Sequence, residues 1–302
     1  MKIIIDKSFY EVMVKTFPNV EFYTEPEECK EAEALIGQPE MMKNDILDKL
    51  PNLRWLQLLR AGYDTIDMNY IKNRQIKLCN GKDIFSIPIA EDVVCKILMH
   101  NTNAFTYIEN KKNHIWDNQL KRRELNGQTI GLIGTGSIAT EIAKRLQPFG
   151  VKILGFKKTP VMNIPYFHEV HSGKKGLEYV LSNSDYVVIT VDLNKGTYHL
   201  INKDNLKLMK ESASIINIAR GSVINQEDLK ETLENKSISY AGLDVFEVEP
   251  LPNTDELWNL DNVYITPHAS ALVKENKSRW VNLIIQNIKN FIDNEELINV
   301  VK

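Results

Sequence analysis

The stretch Thr129-Ile-Gly-Leu-Ile-Gly-Thr-Gly-Ser-Ile-Ala139 decides the fold. Its apolar start runs into Gly134-x-Gly136-x-x-Ala139, an amphipathic helical pattern follows, and a second apolar run begins at Val151. This order is strand, glycine turn, helix, strand. The first glycine permits a tight turn, the second lets backbone N–H groups approach a pyrophosphate, and the small alanine lets the helix lie close to the sheet. The stretch therefore predicts a dinucleotide-binding turn.

Length and composition limit what else the chain is expected to do. With 302 residues it can hold two domains, and its formal net charge of -3 shows no basic excess that would favour nucleic acid. The apolar N-terminal run, residues 1–6, is too short for a signal peptide, and no run reaches membrane-spanning length. These features predict a cytoplasmic protein without nucleic-acid or membrane partners.

The three cysteines give no sign of metal binding. Cys29, Cys79 and Cys95 are odd in number and lack the spacing typical of metal ligands. We therefore expect small buried hydrophobic side chains in a reducing compartment and no metal site.

Residues 1 to about 87 alternate short strands with short helices. The predicted strands are 2–5, 20–23, 34–36, 54–58 and 76–79, and the predicted helices are 9–17 and 45–50. This pattern favours an α/β unit of flavodoxin-like size. After Pro88 a long helical pattern leads towards residue 113 and is expected to link two domains.

The next region predicts a doubly wound parallel sheet. Six candidate strands (129–133, 151–155, 186–190, 214–217, 239–243 and 263–266) come with helical segments at 137–147, 175–182, 203–210 and 226–234. Beyond them, residues 271–294 form one long helical pattern with no strand to cover. We expect this helix to fold back onto the first domain.

Three side chains follow predicted strands of this sheet and suggest chemistry. Arg220, Glu249 and His268 would meet at one edge, because the carboxyl ends of parallel strands face the same crevice. An arginine fork suits a carboxylate, and a carboxylate beside an imidazole favours the charged form, which can donate a proton. Together with a hydride-carrying dinucleotide they indicate a carbonyl reductase. Each residue alone also fits a structural role: a surface arginine, or a structural histidine.

Several motifs in order then show a family resemblance. The chain resembles the D-isomer-specific 2-hydroxyacid dehydrogenases, which include glyoxylate/hydroxypyruvate reductases and phosphoglycerate dehydrogenases. The resemblance spans nearly the whole chain and rests on Leu125-Asn-Gly-Gln-Thr-Ile-Gly-Leu-Ile-Gly-Thr-Gly136, Asn217-Ile-Ala-Arg-Gly221, Leu243-Asp-Val-Phe-Glu-Val-Glu-Pro250 and Pro267-His268. It implies a Rossmann coenzyme domain (93–268) inserted into a flavodoxin-like α/β substrate domain (1–92 and 269–302).

The resemblance also implies roles for individual residues. Arg220 would bind the substrate carboxylate and polarise the keto oxygen, His268 would be the acid/base, and Glu249 its partner, with Glu247 as the competing acid. Asp244 would hold the nicotinamide carboxamide. The expected cofactor-binding residues are Gly134, Thr135, Gly136, Ser137, Ile138, Lys157, Lys158, Thr159, Ala219 and Asp244; the expected substrate-binding residues are Arg60, Ala61, Gly62, Tyr63, Arg220 and His268.

Three positions depart from the family pattern. Asp192 stands where relatives usually have a proline near the cofactor, Arg60 where a small residue is common, and Lys157 where an acid normally ends the second strand. Arg60 either enters the pocket, favouring substrates with a second negative group, or points to solvent. Lys157, Lys158 and Thr159 either bind a 2′-phosphate or face solvent. Since a carboxylate there would repel a 2′-phosphate, its absence favours NADP(H) over NAD(H).

The expected activity is therefore reduction of a small 2-keto acid to the D-2-hydroxy acid by a homodimer. Two alternatives stay open at the level of sequence. One is another member chemistry, such as a phosphonate or formate-type oxidation, although formate-type relatives carry glutamine in place of Glu249. The other is a cofactor-sensing or corepressor-like binding protein with little turnover.

Overall fold

The chain forms two compact units. The computed structural model describes residues 1–160 and 163–301. Met1–Phe85 with Val273–Lys302 make the first unit, and Ser86–Leu272 make the second. The predicted domain limits, 92/93 and 268/269, both lie inside the second unit, and the first of them falls within the helix that begins at Ser86.

The described chain contains twelve strands and ten α-helices. In chain order the strands are β1 (Lys2–Ile5), β2 (Glu21–Tyr23), β3 (Ala34–Gly37), β4 (Trp55–Leu58), β5 (Lys77–Cys79), β6 (Thr129–Ile133), β7 (Lys152–Phe156), β8 (Glu169–His171), β9 (Tyr186–Ile189), β10 (Ser214–Asn217), β11 (Tyr240–Leu243) and β12 (Val263–Ile265). The helices are α1 (Lys7–Thr16), α2 (Asn44–Leu47), α3 (Met68–Asn73), α4 (Ser86–Asn101), α5 (Ala104–Lys112), α6 (Ser137–Leu146), α7 (Gly173–Asn183), α8 (Lys203–Leu206), α9 (Gln226–Glu234) and α10 (Asn276–Ile292).

Each unit contains one parallel sheet. In the first unit the strand order is β2-β1-β3-β4-β5, which is the flavodoxin-like order. In the second it is β12-β11-β10-β9-β6-β7-β8, a doubly wound order that reverses between β6 and β9. The predicted fold class is confirmed. The point of reversal matters for function, because ligands of such sheets bind outside the carboxyl ends of the strands there.

The sheet strands are apolar because both faces are covered. In β1, Ile3, Ile4 and Ile5 are fully buried, and in β9 the whole strand is buried. Parallel strands covered by helices on both sides read as continuous apolar runs. This explains why the central strands could be read from sequence to within one or two residues.

The C-terminal helix packs on the first unit, as predicted. In α10, Trp280, Ile284 and Ile288 join the core cluster of β1 and α1, and the Trp280 ring meets Phe85 edge-on at 5.9 Å. The apolar stripe at helical spacing therefore covers a sheet formed by the other end of the chain.

Several predicted elements need correction. The sheet of the second unit has a seventh strand, β8, and the single helix expected after Pro88 is two helices, α4 and α5, of which α4 begins at Ser86. Proline is tolerated in the first turn of a helix, so Pro88 does not mark its start. The last helix begins at Asn276 rather than 271. Cys95 is exposed, whereas Cys29 and Cys79 are buried as expected.

Helix α4 buries a charged residue that its apolar pattern did not predict. Lys96 is fully buried and forms an ion pair with Asp92 one turn earlier. Its ammonium lies 5.4 Å from the centre of the Tyr264 ring. Burial raises the pKa of the Asp92 carboxyl, and the neighbouring ammonium opposes that rise. A buried charge of this kind is tolerated only because it is paired.

No helix within residues 1–160 and 163–301 combines the length and the apolarity needed to cross a bilayer.

The end of α4 gives a testable dependence of stability on pH. His100 stacks on the Tyr240 ring at 4.3 Å, and burial, with a smaller contribution from the charge of Arg123, lowers its pKa to about 4. The unfolded chain would take up this proton near pH 6.5, so the folding stability due to neutral His100 is lost as the pH falls from there towards 4. Because the ring is only half-buried, we expect a loss of about 1 kcal/mol in the free energy of unfolding, or roughly 2–4 °C in Tm.

The variant His100→Phe keeps the stacking and removes the titration. Its Tm, followed by circular dichroism between pH 7 and 4, should fall less than that of the wild type. If Tm fell by the same amount in both proteins, the pH dependence could not be assigned to His100.

Candidate active site

The glycine turn has the geometry that a dinucleotide requires. Gly134 has φ +114°, a conformation that L side chains rarely adopt, and a Cβ there would lie 2.5 Å from Thr190 Oγ1 and 3.0 Å from the Thr190 carbonyl carbon. Gly136 precedes α6, and a Cβ there would meet no atom within 4 Å. The turn is therefore closed on the side of the sheet and open above the start of the helix.

Two further observations show that this turn fits a cofactor phosphate. The N-cap residue of α6 is Gly136, which has no side chain to cap the helix, so the N–H groups and partial positive charge of the first turn stay available beside Ser137 and Ile138. Thr135 Oγ1 is buried, and none of the described residues gives it a hydrogen-bond partner. Buried hydroxyls are normally paired, so an unpaired hydroxyl beside the glycine turn fits a hydrogen-bonding group of a cofactor.

The segment after β7 carries positive charge and no acid. Lys157, half-buried, follows directly on Phe156, and Lys158 and Thr159 are exposed. Neither lysine forms an ion pair with another residue in the described part of the chain. The Lys158 ammonium lies 3.7 Å from the position of a Cβ on Gly196, in the loop after β9. Lys157 and Lys158 thus stand directly after β7, and the contact predicted between them and the ribose of the cofactor stays a prediction.

Arg220 lies in a turn that β10 delivers to the carboxyl edge of the sheet. The turn is held from within: the Ala219 N–H donates to Asn217 Oδ1 at 3.1 Å, and the Asn217 amide donates to the Arg220 carbonyl at 3.0 Å. The Arg220 guanidinium donates to the Ala219 carbonyl at 2.7 Å. The asparagine that ends the strand, itself buried, therefore fixes the backbone that carries the arginine.

Glu249 and His268 form the expected pair. Glu249 Oε2 lies 2.8 Å from His268 Nδ1, and the other oxygen, Oε1, accepts a hydrogen bond at 3.0 Å from the Phe246 N–H. His268 has a left-handed backbone with φ +52°. The competing acid, Glu247, contacts His199 instead, with Oε1 at 2.8 Å from its Nε2. Contact with the carboxylate at Nδ1 leaves His268 Nε2 as the ring atom available to a substrate.

Asp244 is fully buried and holds the segment that carries His268. Its carboxylate accepts hydrogen bonds from Thr266 Oγ1 at 2.5 Å and from the N–H groups of Ala269 at 2.9 Å and Ser270 at 3.1 Å. In addition, the His268 N–H donates to the Asp244 carbonyl at 2.8 Å. The side chain predicted to hold a nicotinamide carboxamide thus also fixes the backbone on both sides of the histidine.

The predicted substrate loop belongs to the first unit, after β4. Its backbone is held by Asn80, whose amide donates to the Ala61 carbonyl at 2.6 Å, and by the Gly81 N–H, which donates to the Arg60 carbonyl at 2.8 Å. The Arg60 side chain is exposed and makes two long contacts, 3.5 Å to Gln38 and 3.6 Å to Glu40. The roles predicted for Arg60, Ala61, Gly62 and Tyr63 stay predictions.

Sequence reasoning missed two residues that shape this site, and it did not predict the partner of a third. Thr190 closes the floor of the glycine turn, Gly221 brings the arginine turn against the Glu249 loop, and Glu247 pairs with a histidine from another loop. The glycine after the arginine was a usable signal, because glycine often marks a close approach of two backbones. The Glu247 pairing had no local signal, since its partner lies 48 positions away.

This arrangement defines a class of protein. A doubly wound sheet with an open glycine turn, and with an arginine turn and a carboxylate–imidazole pair after its neighbouring strands, is the site of a dinucleotide-dependent dehydrogenase. Residues 94–270 match the sequence model described as "D-isomer specific 2-hydroxyacid dehydrogenase, NAD binding domain". The chain belongs to this family, and it is an enzyme of the D-2-hydroxyacid dehydrogenase type.

Individual relatives agree with the family assignment. The chain is 34% identical over 268 residues to a glyoxylate reductase of Pyrococcus horikoshii, covering 86% of this chain and 79% of that one. A solved structure of a D-isomer specific 2-hydroxyacid dehydrogenase family protein from Aeromonas salmonicida is similar with a TM-score of 0.88, at 28% identity and over 100% and 98% of the two chains. The D-lactate dehydrogenase of Aquifex aeolicus, complexed with NAD and lactic acid, is similar with a TM-score of 0.81 at 25% identity, over 100% and 99% of the two chains.

Proposed function

We propose that this enzyme reduces a small 2-keto acid to the D-2-hydroxy acid. The observation that carries the proposal is the 2.8 Å contact between Glu249 and His268 on the sheet that also carries the Arg220 turn. The relatives support it, because one reduces glyoxylate by its name and another is complexed with lactic acid. A nicotinamide dinucleotide held by its pyrophosphate at the glycine turn would supply the hydride.

The protein side chains have separate tasks in this reaction. Arg220 binds the carboxylate of the keto acid and polarises the keto oxygen, since its guanidinium offers several donors in one plane. His268 donates a proton from Nε2 to that oxygen, while Glu249 holds the ring at Nδ1 and stabilises its charged form. Asp244 fixes the His268 backbone through Ala269 and Ser270.

The direct test is turnover of NADPH or NADH with glyoxylate, hydroxypyruvate and longer 2-keto acids. Chiral analysis of the product should give the D isomer. Cofactor binding without turnover of any of these acids would sink the proposal and favour a cofactor-sensing binding protein.

Replacing His268 and Arg220 should affect different kinetic constants. His268→Ala removes the proton donor, which matters in the transition state, so kcat should fall by roughly 10²–10⁴. Arg220→Lys loses the bidentate fork, so KM for the keto acid should rise and kcat should fall together. Steady-state kinetics with saturating cofactor measure both effects.

His171→Ala is a matched control for this experiment. His171 pairs with Glu169 at 3.0 Å, a carboxylate–imidazole pair that the proposed chemistry does not use. Its removal should leave kcat within about twofold of the wild type, a small change on the free-energy scale. A His268→Ala enzyme with near-normal kcat would exclude this histidine as the acid.

We further propose that the cofactor is NADPH. The support is the charge after β7, where Lys157 and Lys158 stand with Thr159 and no acid occupies the turn. Two ammonium groups and a hydroxyl attract and hydrogen-bond a 2′-phosphate, whereas an NAD-specific site carries a carboxylate for the ribose 2′-OH.

A side-by-side assay of the two cofactors decides this preference. We expect kcat/KM for NADPH to exceed that for NADH by at least roughly tenfold, or about 1.4 kcal/mol. Lys157→Glu should reverse the preference, and Lys175→Glu, a charge change on the exposed face of α7, should not. Raising the salt concentration should reduce the preference, because the lysine heads are partly hydrated. A clear preference of the wild type for NADH would contradict the proposal.

Arg60 is proposed to favour keto acids with a second negative group. Its contacts with Gln38 and Glu40 are long and solvent-exposed, so they are worth about 0–1 kcal/mol and can be exchanged for a substrate anion. Arg60→Ser should lower kcat/KM for a dicarboxylic or phosphorylated 2-keto acid roughly tenfold or more, but that for glyoxylate little. Equal losses on both substrates would mean that Arg60 only faces solvent.

The homodimer is proposed from an apolar surface of the second unit. None of the nine residues of α5 is buried, and Ile108, Ile115 and Trp116 are 50%, 55% and 94% exposed. Large apolar side chains exposed on one segment are typical of an interface, and a second copy would bury them. Trp116→Asp should shift the wild-type dimer to monomer in analytical ultracentrifugation, whereas Leu208→Asp should not. A monomeric wild type would refute the dimer.

A further inference from the structure

Two carboxylate–imidazole pairs lie close together in sequence on the loop after β11, and only one has a place in the proposed chemistry. Glu249 pairs with His268, while Glu247, two residues earlier, pairs with His199 from the loop after β9. Both members of the second pair are only about 30% exposed in their side chains. Because this pair is partly buried and connects distant segments, its role depends on which segments it connects.

The Glu247 carboxylate joins three loops. Its Oε1 accepts from His199 at 2.8 Å and from the Gln226 N–H at 3.1 Å, and the Glu247 N–H donates in turn to Gln226 Oε1 at 3.1 Å. The His199 N–H donates to the Ser222 carbonyl at 2.8 Å. These loops follow β9, β10 and β11, so one side chain fastens the ends of three adjacent strands to each other.

The fastening lies directly beside a backbone contact that bears on the site. A Cβ on Gly221 would lie 1.9 Å from the Phe246 carbonyl carbon and 2.4 Å from the Glu247 nitrogen. The backbone at Gly221 and the Phe246–Glu247 peptide therefore touch with no side chain between them. Arg220 is the residue before this glycine. The Phe246 N–H on the other side holds Glu249. The distance between the arginine turn and the glutamate loop is therefore set at this contact.

A contact of this kind has little adhesion of its own, because glycine supplies no apolar side chain. The hydrogen bonds of Glu247 and His199 join Ser222 and Gln226, which follow Gly221, to Glu247, and so hold the two backbone segments together. Tyr198 covers the outer side by stacking on the His199 ring at 4.0 Å. Loss of the pair would let the arginine turn move away from the glutamate loop.

We propose that Glu247, acting through His199 and Gln226, is a positioning residue that sets the distance between Arg220 and the Glu249–His268 pair. This inference rests on the proposed role of Arg220 as the group that binds the substrate carboxylate. Glu247 itself touches neither the substrate nor the cofactor in this assignment. It acts through the placement of Arg220, chiefly on the affinity for the keto acid, and takes no part in the proton transfer itself.

The experiment compares Glu247→Ala, Glu247→Gln, His199→Ala and the double variant Glu247→Ala/His199→Ala. Glu247→Ala should raise KM for the keto acid about tenfold or more, with KM for the cofactor within about twofold and kcat reduced much less. Glu247→Gln keeps an acceptor for the Gln226 N–H and for a neutral imidazole, so it should recover most of the loss. The double variant should be no worse than either single alanine variant, because both remove the same interaction.

A binding measurement separates this inference from the proposed function. Oxamate, an unreactive analogue of a 2-keto acid, is titrated by calorimetry into each variant in the presence of NADPH. Its Kd should rise about tenfold in Glu247→Ala. If the wild type turned over no 2-keto acid but Glu247→Ala still weakened oxamate, the positioning role would stand and the proposed function would fall.

A role in stability alone gives a different result. Glu231→Gln, which breaks the exposed pair between Glu231 and Lys203, is the matched control and should change neither KM nor Kd. If Glu247→Ala lowered only Tm while the KM for the keto acid and the Kd for oxamate stayed within twofold of the wild type, the positioning role would be overturned. Additive effects of the two alanine substitutions would also overturn it.

Discussion

The carboxylate of Asp244 is the constraint on which the catalytic edge of the second unit depends. It is fully buried at the end of β11 and accepts hydrogen bonds from one hydroxyl and two backbone N–H groups of the segment that follows β12. A buried carboxylate is tolerated only when donors compensate for its lost hydration. The donors come from residues 266, 269 and 270, so satisfying this charge fixes the chain on both sides of His268. The position of His268, the proposed acid/base, is thus a consequence of burying a neighbouring charge.

The second constraint is a backbone contact without side chains. Gly221 brings the turn of Arg220 against the Phe246–Glu247 peptide, and the Phe246 N–H in turn holds Glu249. Close packing of this kind transmits small displacements, because interiors have few voids to absorb them. A displacement of the Arg220 turn would therefore also displace Glu249 and His268, although the three residues come from three different loops of the sheet.

Two groups of lysines in the second unit show how the location of an ammonium group changes its role. Lys96 and Asp92 form a pair in which the ammonium is fully buried and lies 5.4 Å from the centre of the Tyr264 ring. Lys157 and Lys158 stand at the end of β7 without a carboxylate partner in the described residues, which leaves their charge available to a ligand. A buried cation needs an anionic partner within the protein, whereas a hydrated cation at a sheet edge can remain unpaired until an anionic ligand binds.

The sequence by itself determined the elements whose signals are local. Continuous apolar runs marked the buried strands, Gly134 and Gly136 marked the turn, and the stripe of α10 marked a helix that had to cover another part of the chain. Arg220, Glu249 and His268 could be selected because each follows a strand, and the carboxyl ends of parallel strands share one edge. The short β8 strand had no such signal, because its three half-buried residues show no apolar run.

Only the tertiary structure decided which groups meet. Nothing in the sequence could separate Glu247 from Glu249 by physical chemistry, since both acids follow the same strand and each finds a histidine at 2.8 Å. Likewise, Lys96 lies on a helical pattern that does not reveal its burial, and Asp244 finds its donors 22 to 26 positions away. Hydrogen bonds and ion pairs depend on distances of a few tenths of an ångström between segments remote in sequence. Local patterns fix the elements, but these distances exist only after the elements have packed.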